Sequence, residues 1–529
     1  MELTGIRRPV FGHVREKSPL LRPYFLPFSV ALLQCAAYVA TALWKLSHFN
    51  VSSDFGMNNQ ATFLISHGVL NPFNTIGNDL MWQDQFKLLI WPIGLLRTVV
   101  PGAMLLVVLQ ATALALASGI LVHTVQRLSV ALPSTSAKVV IAITAAVILL
   151  EPWTFQAALA DFHAQNIAAP ALVLLISSIL LHKSRFWMAG SAVIYLLSGS
   201  EACTVVAAAG LGFLLLRGFR REGAGLLALG SLWIALILVL HAAQGTPLGQ
   251  VYGYLASSSH PTAQAILAGI IHHPGRPLSQ LASHGITIVA LLLMAGTIGL
   301  FYPPAGAVTC CEVLLAGLQQ HTNLLDFASG SFQMWPAVAL MLCGLPIVVS
   351  AVSQWGRRQH PRVQRLLIAG ATLLGITTVI GNGYYDTTIP SRWNTVSTPV
   401  VFALQQASSH IPAGAEVIAS NGIVGTFSAR SYVYALTSLE ERVPICSSTV
   451  AIVVVPHDGL KLLPSSTAHH VVTSTMSRAA VHTTVYGSVL TMIQLDVVHP
   501  GSSYLLLSAR GIEIQSSKSP VACRNPLIS

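Results

Sequence analysis

Carboxylates and histidines are scarce in this chain, so the places where they gather are informative. Asp and Glu together number 18 in 529 residues. Asp54, His67, Asp79 and Asp84 share one interval, Asp161 and His163 a second, and Glu151 and Glu201 border long apolar runs. His260, His272, His273 and Arg276 follow further on. Carboxylates collected at a cavity suit general-base work, in which a hydroxyl gives up its proton. They equally suit a divalent cation held by hard oxygen ligands. The plainer alternative is an ordinary loop charge or a helix cap, and for Asp79 the plainer alternative is preferred. No spacing among these residues matches a zinc or phosphate-loop motif.

The elements that must position these groups are membrane helices. Hydrophobic residues make up 53% of the chain and charged residues 9%, against roughly a quarter charged in soluble domains. The mean hydropathy is +0.66. A water-facing surface cannot be built from so few charges, so lipid must cover much of it. A crossing needs about 20 apolar residues. Candidate crossings fall at 24–44, 102–124, 137–153, 165–182, 186–199, 202–217, 223–241, 284–302, 306–320, 334–353 and 365–381. The fold class expected is a mainly α, polytopic helical bundle of about 11 crossings. The stretch 86–99, interrupted by Pro92 and Arg97, reads as a re-entrant or interfacial helix.

Basic residues set the direction. Arg7, Arg8, Arg15, Lys17 and Arg22 precede the first crossing, without a cleavable leader pattern. Later clusters at Arg127, Lys138, Lys183, Arg185, Arg217, Arg220, Arg221, Arg357, Arg358, Arg362 and Arg365 fall on the same side by this map. Positive charge collects in cytoplasmic loops, which places the N-terminus on the cytoplasmic side of the membrane. It leaves the loops 45–101, 154–164, 242–283 and 321–333, and the chain after about 384, outside. The net charge of +10 then meets anionic lipid. Nucleic acid is not expected as a partner, because no basic stripe with interleaved aromatics appears.

Two parts are therefore expected: residues 1–383, a transmembrane domain with a large first outer loop at 45–101, and 384–529, an extracytoplasmic α/β domain. In the second part a helix near 394–410 precedes strand-like runs at Glu416–Ala419, Ser431–Tyr434, Thr449–Val455, His469–Val472 and Ser488–Leu495. Cys446 and Cys523 are its two cysteines. An oxidising compartment permits a disulfide between them; two separate thiols are the alternative.

The run Ser53-Asp54-Phe55-Gly56-Met57-Asn58-Asn59-Gln60 resembles the F-D-x-G-x-x-D-Q signature of an uncharacterised bacterial membrane family, a domain of unknown function. Ser66-His67-Gly68, Asp84-Gln85-Phe86, Asp161-Phe162-His163, Glu201, and Ile411-Pro412 through Val417 with Arg430 extend the resemblance over most of the chain. That family in turn resembles the GT-C glycosyltransferases. The resemblance implies transfer of a sugar from a polyprenyl-phosphate carrier to an envelope acceptor on the outer face, with Asp54 as the base. Asp84, Asp161, His163 and Glu201 would line the cavity. A cation such as Lys87 or Arg276 would hold the donor phosphate, although Lys87 is equally suited to snorkelling.

Asn59 and Gln85 stand where the family usually has Asp and His, and Gln165 lies near a position where it often has Glu. Each puts a neutral amide in place of an ionisable group, so no cofactor is certain, and a divalent metal loses potential ligands. Besides the transferase, a non-catalytic protein binding lipid or glycan remains open. A transporter fits less well, because no internal symmetry is evident.

Overall fold

The computed structural model describes residues 24–83, 85–159, 161–240, 252–256, 263–285, 288, 297–319, 331–359, 375–376, 378–380, 382–383, 396–436, 441–455, 479–486, 490–497, 500–501, 503–508, 511–516, 523 and 525. Asp84, His260 and the expected strand at His469–Val472 lie outside the described residues, as do most of the expected crossings at 284–302 and 365–381.

The chain is mainly helical. Among the described residues, five helical stretches are long and apolar enough to cross a membrane: Phe25–Ser47, Met104–Ser129, Ser134–Leu159, Arg217–Val239 and Met334–Gln354. Three shorter apolar helices join them, Ala169–Leu180, Ser200–Leu214 and Pro303–Gly317. We label α1 (Phe25–Ser47), α2 (Ser53–Ser66), α3 (Ile90–Leu96), α4 (Met104–Ser129), α5 (Ser134–Leu150), α6 (Pro152–Leu159), α7 (Ala164–Ile167), α8 (Ala169–Leu180), α9 (Arg185–Leu196), α10 (Ser200–Leu214) and α11 (Arg220–Val239). Then follow α12 (Ala263–His272), α13 (Gly275–Ser283), α14 (Pro303–Gly317) and α15 (Ser331–Gln359). The core of the bundle gathers apolar residues of α4, α8, α10 and α15.

Small residues bring helices close. A Cβ on Gly210 would stand 2.5 Å from the Leu227 nitrogen, and one on Gly223 2.6 Å from the Leu214 nitrogen. The α10–α11 pair can therefore pack backbone to backbone, as membrane helices do at small residues.

Two loops differ from expectation. Residues 154–159, expected in an outer loop, are helical: with Pro152 and Trp153 they form α6, which continues from α5 after a break. Pro152 drives its predecessor out of the helical region, and Glu151 adopts ψ 117°. Its carboxylate then accepts from the Trp153 and Thr154 backbone N–H groups at 2.6 and 2.7 Å. Glu151 is thus the cap of α6, satisfying donors that a helix start leaves open. The loop 45–101 is also structured. It holds α2, α3 and a small hairpin, β1 (Phe73–Asn74) with β2 (Asp79–Leu80). Phe55, Ile65, Ile90 and Ile93 form its own core together with Phe162.

The C-terminal region contains α16 (Thr398–His410), β3 (Glu416–Ser420), α17 (Val424–Phe427), β4 (Val433–Leu436), β5 (Glu441–Ile445), β6 (Thr449–Val454), β7 (Ala479–Tyr486), β8 (Leu490–Val497), β9 (Ser503–Ser508) and β10 (Gly511–Ser516). One sheet runs β4-β3-β6-β8-β7, with β3 parallel to both neighbours, and a second runs β10-β9-β5. Alternation along each strand sorts the side chains. Val417, Ala419, Ala451 and Val453 pack with Val400 and Leu404 of α16. Ile418, Val450, Ile452 and Ile493 pack on the other face with Val443 and Leu505 of the second sheet. Central strands covered on both faces read as continuous apolar runs, which is why β3 and β6 are evident in sequence. Strands β5, β9 and β10 are less evident: polar residues alternate through β10, Pro444 sits inside β5, and the apolar run of β9 is only four residues long between Ser503 and Ser508.

Glu416 is the exception in that core. Its Oε2 accepts from the Cys446 and Ser447 N–H groups at 2.8 and 3.2 Å, and its Oε1 is buried without a hydrogen bond. Burial outweighs the two donors and pushes the carboxyl up to about 7 from its ordinary 4.5. The folded chain keeps this proton where the unfolded chain has lost it. The stabilising contribution is therefore complete below about pH 4.5 and is lost as pH rises through about 7. Glu416→Gln should flatten the dependence of the unfolding temperature on pH across that window. An unchanged slope in calorimetry would assign it to another group.

Candidate functional site

The signature run at 53–60 is the first two turns of α2, and its residues divide into those that fasten the helix and one that faces solvent. Ser52, the residue before α2, donates its N–H to Asp161 Oδ2 at 3.0 Å, and its hydroxyl donates to the same oxygen. Lys45 Nζ lies 3.8 Å from Asp161 Oδ1 and donates to the Leu159 carbonyl at 2.6 Å. Asn58 donates to the Phe162 carbonyl at 3.1 Å and to the Asp54 carbonyl at 2.8 Å. The start of α2 is therefore clamped to Asp161 and Phe162. Asp161, expected as a cavity carboxylate, is part of that clamp.

The following residues reach the C-terminal region. Gly56 and Gly425 approach so closely that a Cβ on Gly425 would stand 2.8 Å from the Val51 and Ser52 carbonyl oxygens. The Gly425 N–H donates to the Val51 carbonyl at 3.1 Å. Asn59, fully buried, accepts from Arg97 on Oδ1 at 2.6 Å and donates from Nδ2 to Ser428 Oγ at 2.8 Å. Arg97 also donates to the Asn59 carbonyl and to Thr62 Oγ1, at 2.8 and 2.9 Å. Burial brings this guanidinium down to about 10, so it remains a cation, compensated here by neutral oxygens. Gln60 donates to Thr75 Oγ1 at 2.7 Å and to the Ser431 carbonyl at 3.0 Å, and accepts from the Thr75 N–H at 3.0 Å.

Asp54 itself is exposed in the first turn of α2, where the helix dipole favours a negative charge. The neighbouring cation is Lys87, only 3% exposed. It follows two consecutive left-handed residues, Gln85 at φ 54° and Phe86 at φ 53°. Such backbone is costly outside glycine and persists where its surroundings enforce it. The enforcing contacts are Ser200 N–H to the Gln85 carbonyl at 2.6 Å and Leu89 N–H to the Leu197 carbonyl at 2.9 Å. They bring Lys87 to the start of α10, where Glu201 sits in the first turn. Gln165 Nε2 lies 3.5 Å from Glu201 Oε2.

His163 joins these groups. It is buried, its N–H donates to Gln110 Oε1 at 2.8 Å, and its Nδ1 lies 2.6 Å from the Asp161 carbonyl. Burial lowers its pKa most. The Lys87 charge adds to that, and Asp54 and Asp161 oppose it without prevailing. The imidazole is accordingly neutral near pH 7, and it lies within electrostatic reach of Asp54, Lys87 and Asp161 together.

Arg276 stands apart. It is exposed on α13, 3.5 Å from the Tyr254 carbonyl, and no contact described joins it to Asp54 or Lys87. Cys446 and Cys523 form a disulfide with a Cα–Cα distance of 5.6 Å. Among the described residues no group of three or more His, Cys, Asp or Glu converges to hold a metal ion. Asn59 acts as a structural bridge, so its neutral amide removes nothing from the exposed surface of the site. Two participants escaped sequence reasoning. Arg97 was read only as an interruption of an apolar run. Glu312, buried in α14 and within reach of the Glu201 charge, is an ionisable group inside an apolar helix, the signal that could have drawn it out.

Fold and site together define a polytopic membrane protein with a carboxylate and a buried lysine gathered beside its first large loop. The chain belongs to the family described as predicted membrane protein (DUF2079), which matches residues 48–450. No curated protein sequence matches it. Among solved structures it is similar to ArnT from Cupriavidus metallidurans bound to undecaprenyl phosphate, at 11% identity and a TM-score of 0.46, over 89% of this chain and 98% of that one. The same protein in the apo state is similar at 11% identity and a TM-score of 0.43, over 88% and 98% of the two chains.

The bridge makes a ranking. Asn59→Ala leaves the buried Arg97 short of its closest acceptor and should cost about 1–3 kcal/mol. Asn59→Asp supplies a charged acceptor and should cost less. Thermal unfolding of the two variants in detergent checks the order.

Proposed function

We propose that this chain is a glycosyltransferase that moves a sugar from a polyprenyl-phosphate donor to a hydroxyl of an envelope acceptor at the outer membrane surface. Residues 1–383 form its transmembrane part, and 384–529 an α/β domain on the extracytoplasmic side, with the N-terminus in the cytoplasm. The observation that carries the reading is that an exposed carboxylate, Asp54, and a nearly buried cation, Lys87, both lie within electrostatic reach of one buried histidine, His163.

Asp54 takes the proton of the acceptor hydroxyl as its oxygen bonds to the anomeric carbon. The bond from that carbon to the phosphate oxygen breaks, and the electron pair leaves with the polyprenyl phosphate. Lys87 neutralises that phosphate, where low surrounding polarity strengthens the attraction. Glu201 and His163 line the same place. Asp161 holds Ser52 and with it the first turn of α2, so its contribution is positional.

Reconstituted protein supplied with a polyprenyl-phosphate sugar tests the reading. Asp54→Asn should lower transfer by about 100-fold or more while the unfolding temperature stays unchanged. Lys87→Met should weaken use of the donor, and Lys87→Arg should restore part of it. Transfer at the normal rate by Asp54→Asn overturns the assignment of the base.

A further inference from the structure

Among the described residues, the free edge of β4 is covered by side chains and not by another strand. Thr75 Oγ1 donates to the Val433 carbonyl and accepts from the Val433 N–H at 3.0 Å. Asn525, which is fully buried, works on the hairpin from its other side. Its Oδ1 accepts from the Phe73 N–H at 3.0 Å, and its Nδ2 donates to the Phe73 and Ser431 carbonyls at 2.5 and 3.1 Å. The amide thereby imitates one residue of a neighbouring strand and satisfies all the bonds this side chain needs there. Phe73 pairs with Leu80 in β2, but its backbone bonds go to Asn525, as at a non-hydrogen-bonded site of an antiparallel pair.

What holds Asn525 in place lies two residues earlier. Cys523 is joined to Cys446, and the Cys446 N–H is anchored on the Glu416 carboxylate of β3. The loop it closes spans 77 residues of sequence. A single covalent bond therefore fastens the segment carrying Asn525 to the sheet, and Asn525 fastens β1. The next residues continue the chain of contacts: Thr75 bonds Gln60 of α2, and α2 carries Asp54.

We propose that Asn525 is a positioning residue for the first large loop and that the Cys446–Cys523 disulfide is the latch that keeps it seated. Reduction by a dithiol breaks the Sγ–Sγ bond. Two electrons and two protons pass to the cysteines, which become two thiols, and the dithiol is left as a disulfide. With Cys523 released from the sheet, Asn525 gives up Phe73, and the hairpin loosens around the site. The step from a loosened hairpin to slower turnover rests on the transferase reading; the latch itself does not.

Hydrogen exchange of the full-length protein in detergent, followed on peptides covering 70–80, tests the latch without reference to activity. Asn525→Ala should speed exchange at Phe73 by on the order of tenfold, the effect of losing its hydrogen bonds, and Asn525→Asp should speed it less. The double variant Cys446→Ser/Cys523→Ser, and the unmodified protein treated with dithiothreitol, should give the same acceleration as Asn525→Ala. Unchanged exchange in Asn525→Ala overturns the positioning role. Acceleration in Asn525→Ala but not in the reduced protein overturns the latch. In the transfer assay, Asn525→Ala should lower kcat with little change in KM for the donor. If the unmodified protein transfers no sugar while the exchange results hold, the transferase reading fails and the latch stands.

Discussion

The arrangement depends on one edge of one strand. β4 is an edge strand of its sheet, and an uncovered strand edge presents a row of N–H and C=O groups that must be satisfied. Here most of the partners come from the first large loop. Thr75 occupies Val433, Gln60 and Asn525 share the Ser431 carbonyl, and Asn59 holds Ser428 just before it. The first large loop is thus the missing neighbour of the sheet, and the sheet is the scaffold of the loop. Neither is a finished surface alone.

This mutual dependence explains how a short helix can hold an exposed carboxylate in a fixed place. α2 has only 14 residues, and an isolated helix of that length is marginal in water. It is fixed at its start by Asp161 and Phe162, along one flank by Arg97, and along another by the C-terminal region. Asp54 is the residue of the run that these fastenings leave at the surface. The lysine opposite is fixed by a different device, two left-handed residues locked by the turn before α10. Rigid supports on both sides are what a site needs if its two charges are to keep a set separation.

Much of the bundle was legible because hydrophobic length is a strong and local signal. The expected crossings from 24–44 to 223–241 all coincide with helices that the structure describes. The exact number of crossings is a finer matter, since among the described residues five stretches are both long and apolar enough. Strands β3 and β6 announced themselves through unbroken Val and Ile runs. The hairpin at 73–80, with two residues to each strand, has too little periodicity to read. In the site, residue types at 54, 87, 161, 163 and 201 were evident, but their roles were not. Asp161 and Asp54 look alike in sequence. Only the positions of Ser52 and Lys45 separate a clamp from a surface carboxylate. Asn59 and Arg97, 38 residues apart, meet only because α3 folds back on α2.

The pairing of Phe73 with Asn525 also has a timetable. The two lie 452 residues apart, and chains are made at about 5–20 residues per second. The hairpin therefore waits roughly 20–90 s from its own synthesis until its partner exists. Throughout that interval the helices around it can insert and pack, and α2 can take up its contacts with residues 425–433, while Phe73 still lacks its partner. A ribosome that stalls before residue 525 would leave a well-inserted protein whose first large loop is held at Ser428, Ser431 and Val433 but whose hairpin lacks Asn525.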